Sequence, residues 1–353
     1  MHLPGFLAWL RKHAVSSGCQ RFLFGDFCAA CKLAEAAEKY WNKATNPTGS
    51  LNKAINDEAN RARSPYPELE LLDTSGSYAV DSQQCAAQFM TWLLEDISAD
   101  IERDNVHSPT FGDLFGLETQ ESWDCTAHTM SEHYGAKELG YGPVVVPAHA
   151  DARGAPLRNA DLLEYLMNRF QFRGSRSDGI YGCTSCSSAT ERSVSIRILS
   201  APIYLIFQLT TLNDTREKVE SFPRLPLALD MSPFSASGDL YYRLVANIGH
   251  IGKTPNSGHY VAAVVDNHDQ CWLVNDHVAE YKGFLSNLQI HIQDKQEIQP
   301  YLVTYEKCSK EAFEQRQAEE QEEQETWYTS QEDAFIPFES VAADESGSPM
   351  DLD

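Results

Sequence analysis

The order of hydrophobic periods along the chain predicts an α+β fold. Apolar residues recur at three- and four-residue spacing through the first half and alternate after about Ser193. The alternating segments are separated by turn signals such as Pro255-Asn-Ser-Gly258 and Asp266-Asn267. Helices first and mainly antiparallel strands later is the pattern of a domain whose helices pack against a sheet.

Taken in order, Phe6, Leu7 and Leu10 share one helical face, and Lys32 to Trp41 is rich in the helix formers Ala, Glu and Lys. Asn46 to Leu72 reads as a polar loop. The clearest helix runs from Asp81 to Ile97, with Ala86, Phe89, Met90, Leu93, Leu94 and Ile97 inward and Asp81 or Ser82 as its cap. A further amphipathic helix spans about Leu162 to Phe170, with Leu162, Leu163, Leu166, Met167 and Phe170 inward. Strands follow at Val194/Ile196/Ile198, Ile203 to Phe207, Tyr242 to Ile248, Tyr260 to Val265, Cys271 to Val274 and Tyr301 to Tyr305.

At about 150 residues per domain, a length of 353 suggests two domains, and 42% apolar residues supply an ample core. The longest apolar stretch, Ile196 to Leu212, is broken by Arg197, Pro202 and Gln208, so no membrane span is expected. The first ten residues are too short for a signal-peptide core and run into Arg11-Lys-His13. The formal net charge is −23, which opposes binding to nucleic acid or an anionic membrane and favours a basic partner. Residues 309–353 carry −12 of it, and Glu319-Glu-Gln-Glu-Glu-Gln-Glu325 is self-repelling low-complexity sequence. This tail is expected to be disordered or a frayed helix, and Trp327, Tyr328, Phe335, Ile336 and Phe338 make it a candidate docking motif as well as a solvating one. Nine cysteines with no secretory signal point to a reducing compartment, cytosol or nucleus, where they serve as thiols or metal ligands.

Cys125-x2-His128 and Cys183-x2-Cys186 are two chelating pairs that together supply a closed tetrahedral set for one structural zinc. The alternative is two unrelated reduced clusters. A third pair, Cys28-x2-Cys31, lies downstream of His13 and Cys19; it reads as buried thiols at a helix start, with a second zinc as the alternative.

Candidate chemistry centres on Asn256-Ser-Gly-His-Tyr-Val-Ala-Ala-Val264. A His at the start of a strand is open to a cleft yet firmly held, which suits His259 to be a general base. Sixteen residues on, Asn275 and Asp276 end the next strand. If the two strands pair as a hairpin, either can accept the imidazole N–H and fix its tautomer. Taken alone, these residues read equally as a capping His and a turn Asn-Asp.

Several segments, in this order, resemble the ubiquitin-specific protease family. Ser257-Gly-His-Tyr260 resembles its catalytic His box, and Trp272 to Val278 its Trp…Asn/Asp-Asp…Val segment. Gln83-Gln-Cys-Ala-Ala-Gln-Phe89 with Leu93-Leu94 resembles its Gln-Gln-Asp-Ala-x-Glu-Phe…Leu-Leu helix. Cys125/His128 with Cys183/Cys186 resembles its zinc-bearing fingers. Ile203 to Leu209, Phe222 to Ser232 and Tyr301 to Tyr305 resemble its palm segments. The resemblance implies a papain-like cysteine protease fold with thumb (about 1–110), fingers (111–193) and palm (194–308), followed by the tail 309–353. It implies a thiol hydrolase cleaving ubiquitin from proteins, with His259 as base, Asn275 or Asp276 as orienter and one structural zinc. The body's −11 suits the Arg-containing C-terminal tail of ubiquitin.

The departures are equally specific. The family's nucleophile and oxyanion hole come from a Gly-Asn-Thr-Cys-Tyr box that precedes a Pro-x-Phe segment, which Leu3-Pro-Gly-Phe-Leu-Ala-Trp-Leu10 resembles. None of the nine cysteines stands in such a box, so this chain is expected to begin after it and to be inactive as given. Cys85 and Gln88 replace the usual Asp and Glu, and His128 replaces a zinc Cys. Three functions remain open: a deubiquitinase whose nucleophile lies upstream, a catalytically dead ubiquitin-binding scaffold, and an unrelated zinc-stabilised interaction protein.

Overall fold

The structure, a computed structural model, describes residues 3–15, 28–41, 86–101, 110–124, 132–147, 162–174, 192–210, 224–254, 257–266, 268–276, 278–284 and 298–334. The loop read over Asn46 to Leu72 and the caps Asp81 and Ser82 lie outside them, as do the zinc pairs Cys125/His128 and Cys183/Cys186.

Among the described residues four helices come first: α1 (Pro4–Val15), α2 (Ala29–Trp41), α3 (Ala86–Ile101) and α4 (Phe111–Phe115). They bury Phe6, Leu10, Leu33, Leu93, Leu94, Ile97, Phe111 and Phe115 against one another, the stripes their periodicity prescribes. Thr110 and Asp113 form a capping box at the start of α4, each side chain accepting from the other's backbone N–H. The hydroxyl of Tyr204 accepts from Gly5 N at 2.9 Å, so a sheet residue caps the first turn of α1.

Two sheets follow. In the four-stranded sheet the order is β2 (Glu132–Gly140), β1 (Leu117–Asp124), β5 (Arg192–Ser200), β4 (Gln171–Gly174), all antiparallel. Helix α5 (Leu162–Phe170) leads straight into β4. It buries Leu162, Tyr165, Leu166 and Phe170, while Met167, expected inward, is exposed. Inclusion of Tyr165 rotates the buried stripe away from position 167, five residues past Leu162 and well off that face.

The eight-stranded sheet has the order β11 (Val278–Phe284), β10 (Gln270–Asn275), β9 (Ser257–Val265), β8 (Tyr241–Thr254), β12 (Ile298–Cys308), β6 (Tyr204–Thr210), β3 (Val144–Pro147), with β7 (Ala228–Asp230) also paired to β8. Only the β3–β6 pair is parallel. Strand β6 is apolar at every position from Tyr204 to Phe207 because both of its faces are covered. Tyr204 and Ile206 meet the helical cluster, whereas Leu205, Phe207 and Leu209 join the core that includes Tyr242, Leu244, Val303 and Tyr305.

In the tail read as disordered or a frayed helix, α6 (Lys310–Ala334) forms. Ser309 begins it, accepting from Phe313 N through its carbonyl and from Ala312 N through its hydroxyl. Phe313 stacks near Tyr241 at 4.9 Å, Arg316 pairs with Asp269, and Glu320 accepts from Leu227 N at 3.1 Å beside Arg224. A composition that repels itself in isolation is held because these three residues, spaced i, i+3 and i+7, share one face that docks on β7 and β8.

Candidate active site

His259 lies near the start of β9, where the ladder to β8 pairs it with Ile251. Gly258 precedes it for a steric reason: a Cβ there would come closer than 3 Å to the carbonyl oxygen of Ile251 and to the imidazole of His250. His250 is buried and tilts against the ring of Tyr260 at 4.9 Å. The hairpin thus packs tightly on one face and presents His259 on the other.

Strands β9 and β10 pair antiparallel, with Val274 opposite Ala262. That register puts Asn275 across from Val261 and on the face His259 shares, a diagonal neighbour along the ladder. The contact between His259 Nε2 and Asn275 Oδ1 is 2.5 Å. An amide oxygen only accepts, so Nε2 carries the proton and the lone pair of Nδ1 is left for another group. Asn275 pairs with Val278 in turn, so Asp276 sits in the short loop that closes the hairpin. Asp276 takes φ 50° in that loop, and its carboxylate is largely exposed, 3.9 Å from Nε2. The hairpin's other end is latched by Asp266. Its Oδ1 accepts from His268 N and Gln270 N at 2.8 and 3.0 Å, and its Oδ2 from the indole N–H of Trp272 at 3.1 Å. Burial pulls this carboxyl upward, but the three donors outweigh it and hold it below the ordinary value.

His250 and Asp266 were not singled out from sequence. The available signal was a glycine directly before a candidate base, which marks a close approach by some neighbouring group. Asp at the start of a turn leading to Trp272 was the other.

Four cysteines are described: Cys28, Cys31, Cys271 and Cys308. Among the described residues none hydrogen-bonds His259. Hydrogen bonding with Cys31, and then burial, push the Cys28 thiol up to about 12; burial pushes Cys271 to about 11 and raises Cys308. These are the opposite of an activated nucleophile.

The predicted zinc ligands lie outside the described residues, but their flanks are placed. Asp124 pairs with Glu132, Trp123 with Val194 and Gly174 with Arg192. Both ligand-bearing connections, 125–131 and 175–191, therefore leave the same end of the four-stranded sheet. A separate group, His13, Cys28 and Cys31, brings its ligand atoms within 4.8 Å of one another.

The sequence matches the family described as ubiquitin carboxyl-terminal hydrolase over residues 29–305, more than three quarters of its length. The chain belongs to the ubiquitin carboxyl-terminal hydrolase family. It is similar to "Ubiquitin carboxyl-terminal hydrolase 26" of Arabidopsis thaliana, 27% identical over 216 residues, covering 56% of this chain and 19% of that protein. It is also similar to "Ubiquitin carboxyl-terminal hydrolase 36" of Drosophila ananassae, 24% identical over 278 residues, covering 74% and 23% respectively. The chain thus spans about a fifth of the length of these relatives. Among solved structures, the SAGA DUB module of Ubp8, Sgf11, Sus1 and Sgf73 bound to monoubiquitin aligns with a TM-score of 0.62 at 18% identity, over 87% of this chain and 64% of that one. The module bound to ubiquitin aldehyde aligns with the same score at 17% identity, over 87% and 65%. This likeness shows the fold: the hydrolase family's mixed helix-and-sheet architecture, consistent with the papain-like class, carries the His259–Asn275 pair on its main sheet.

Proposed function

We propose that this chain serves cysteine-type deubiquitination, supplying the base and orienter of a site whose nucleophile is none of its nine cysteines. The observation that carries the reading is the His259–Asn275 contact in a chain of this family. In this scheme Asn275 keeps the proton on Nε2, and Nδ1 takes the proton of a cysteine thiol as it attacks the carbonyl carbon of the C-terminal Gly of ubiquitin. The imidazolium then returns that proton to the leaving lysine amine. Asp276 lies close enough to stabilise the imidazolium through space but is not the tautomer-fixing group. The two chelating pairs, Cys125/His128 and Cys183/Cys186, hold one structural zinc at the end of the four-stranded sheet. The support for this is the shared exit of their two connections and the borderline-soft chemistry of three thiolates and an imidazole. The partner is ubiquitin on a protein, and the reducing setting inferred for the cysteines places the chain in cytosol or nucleus.

A ubiquitin-binding scaffold without chemistry is the second reading, favoured by one observation: the described thiols of Cys28, Cys271 and Cys308 are all raised, and none contacts His259. The 353-residue chain is mixed with ubiquitin bearing a C-terminal electrophile and, separately, with unmodified ubiquitin. Binding of unmodified ubiquitin without covalent labelling is the expected result. Labelling at any of the nine cysteines overturns the assignment of the nucleophile, and absence of binding removes both readings. The two separate on the DNA upstream of the Met1 codon. An in-frame Gly-Asn-Thr-Cys box supports the enzyme, and stop codons without one support the scaffold.

A further inference from the structure

The helical half of the molecule contains a group of metal-type ligands that the deubiquitinase site does not use. His13 stands in the last turn of α1, Cys28 directly precedes the first residue of α2, and Cys31 lies in the first turn of α2. His13 and Cys28 are buried and Cys31 is partly buried. Cys28 Sγ is 3.5 Å from His13 Nε2, and all three ligand atoms lie within 4.8 Å of one another. A tetrahedral zinc with Zn–S of about 2.3 Å and Zn–N of about 2.0 Å requires a sulfur–nitrogen separation of ~3.6 Å and a sulfur–sulfur separation of ~3.8 Å. The Cys28–His13 separation matches that geometry, and the other two ligand separations are no more than 4.8 Å.

We propose that His13, Cys28 and Cys31 bind a second structural zinc ion, which staples the end of α1 to the start of α2. Two thiolates and an imidazole are a borderline-soft set that suits zinc and discriminates against magnesium and calcium. The two cysteines form a chelate of the Cys-x2-Cys type at the start of a helix. The indole of Trp9 lies parallel to the His13 ring, 5.3 Å away at 13°, and fixes its plane. Three protein donors leave one tetrahedral position, filled by water or a further ligand; Cys19 lies outside the described residues. The ion would substitute for core at a point where two short helices meet across thirteen intervening residues.

Two measurements on the full 353-residue chain test this. The first counts zinc by elemental analysis after loading and desalting. The Cys28→Ser/Cys31→Ser double variant is expected to hold one ion fewer than the parent, whether or not the pairs at Cys125/His128 and Cys183/Cys186 hold theirs. An equal count overturns the proposal. The second needs no variant: alkylation of each cysteine is followed by mass spectrometry with and without a zinc chelator. Cys28 and Cys31 are expected to react at least tenfold faster in chelator, while Cys271, buried in the main sheet with no metal partner, does not change. Rates for Cys28 and Cys31 that are the same in zinc and in chelator show a hydrogen-bonded thiol pair and overturn the site.

Discussion

The imidazole of His259 and the amide of Asn275 meet diagonally across one two-stranded ladder, with Nε2 as donor and Oδ1 as acceptor at 2.5 Å. Replacement of Asn275 by Ala removes the acceptor that selects one tautomer. Nitrogen NMR of His259 is expected to show a single Nε2–H form in the parent and a mixture of both neutral tautomers in the variant. Identical spectra would mean that the amide does not hold the ring.

Gly258→Ala drives a methyl group into the Ile251 carbonyl and the His250 imidazole. It is expected to cost about 1–3 kcal/mol, read as a lower urea midpoint with an unchanged slope. Gly140→Ala is the comparison, since a Cβ there meets open space, and its midpoint is expected to stay near the parent's.

Removal of the carboxylate in Glu320→Ala leaves the Leu227 N–H without its acceptor and takes away the negative charge beside Arg224. A loss of about 1–3 kcal/mol is expected. Glu314→Ala, exposed on the same helix, is expected to change stability by no more than about 0.5 kcal/mol. Chemical denaturation of the three proteins side by side checks both.

Asp266 is held below the ordinary carboxyl value in the folded chain, so its contribution is present above about pH 4 and is lost as pH falls through the folded value. The stability gap between the parent and Asp266→Asn should therefore be full at pH 7 and shrink at pH 3. A gap independent of pH would show that the carboxyl's charge is not what latches the turn.

Cys183→Ser removes one ligand of the proposed zinc at the end of the four-stranded sheet. One zinc fewer than the parent, with a fall of several degrees in melting temperature, is expected from metal analysis and a thermal scan.

Much of this molecule was legible in its residues. Helix α3 announced itself through Leu93, Leu94 and Ile97 because a single buried stripe repeats at helical spacing. β5 did so through Val194, Ile196 and Ile198 because one face is covered and the other is not. The His259 hairpin followed from two strands joined by a short polar turn. The docking of α6 was not legible: Phe313, Arg316 and Glu320 are scattered through a sequence whose composition favours solvent, and their partners Tyr241, Asp269 and Leu227 are 47 to 93 residues away. The grouping of His13 with Cys28 and Cys31 was legible only as an alternative, because their convergence depends on the angle at which two helices meet. Asn275 and Asp276 looked equivalent for a similar reason. Adjacent residues differ only once the turn sets one side chain against the His259 ring and leaves the other farther off in water.

The His259–Asn275 pair is local: sixteen residues separate its members, and the three strands that align them follow one another in the chain. Such a pair assembles wherever that stretch of polypeptide folds, whatever becomes of the helical half. Its assembly therefore does not report on whether a nucleophile is present. In surveys of related sequences, the proposed base and orienter should be scored separately from the cysteine, and activity on the cysteine alone.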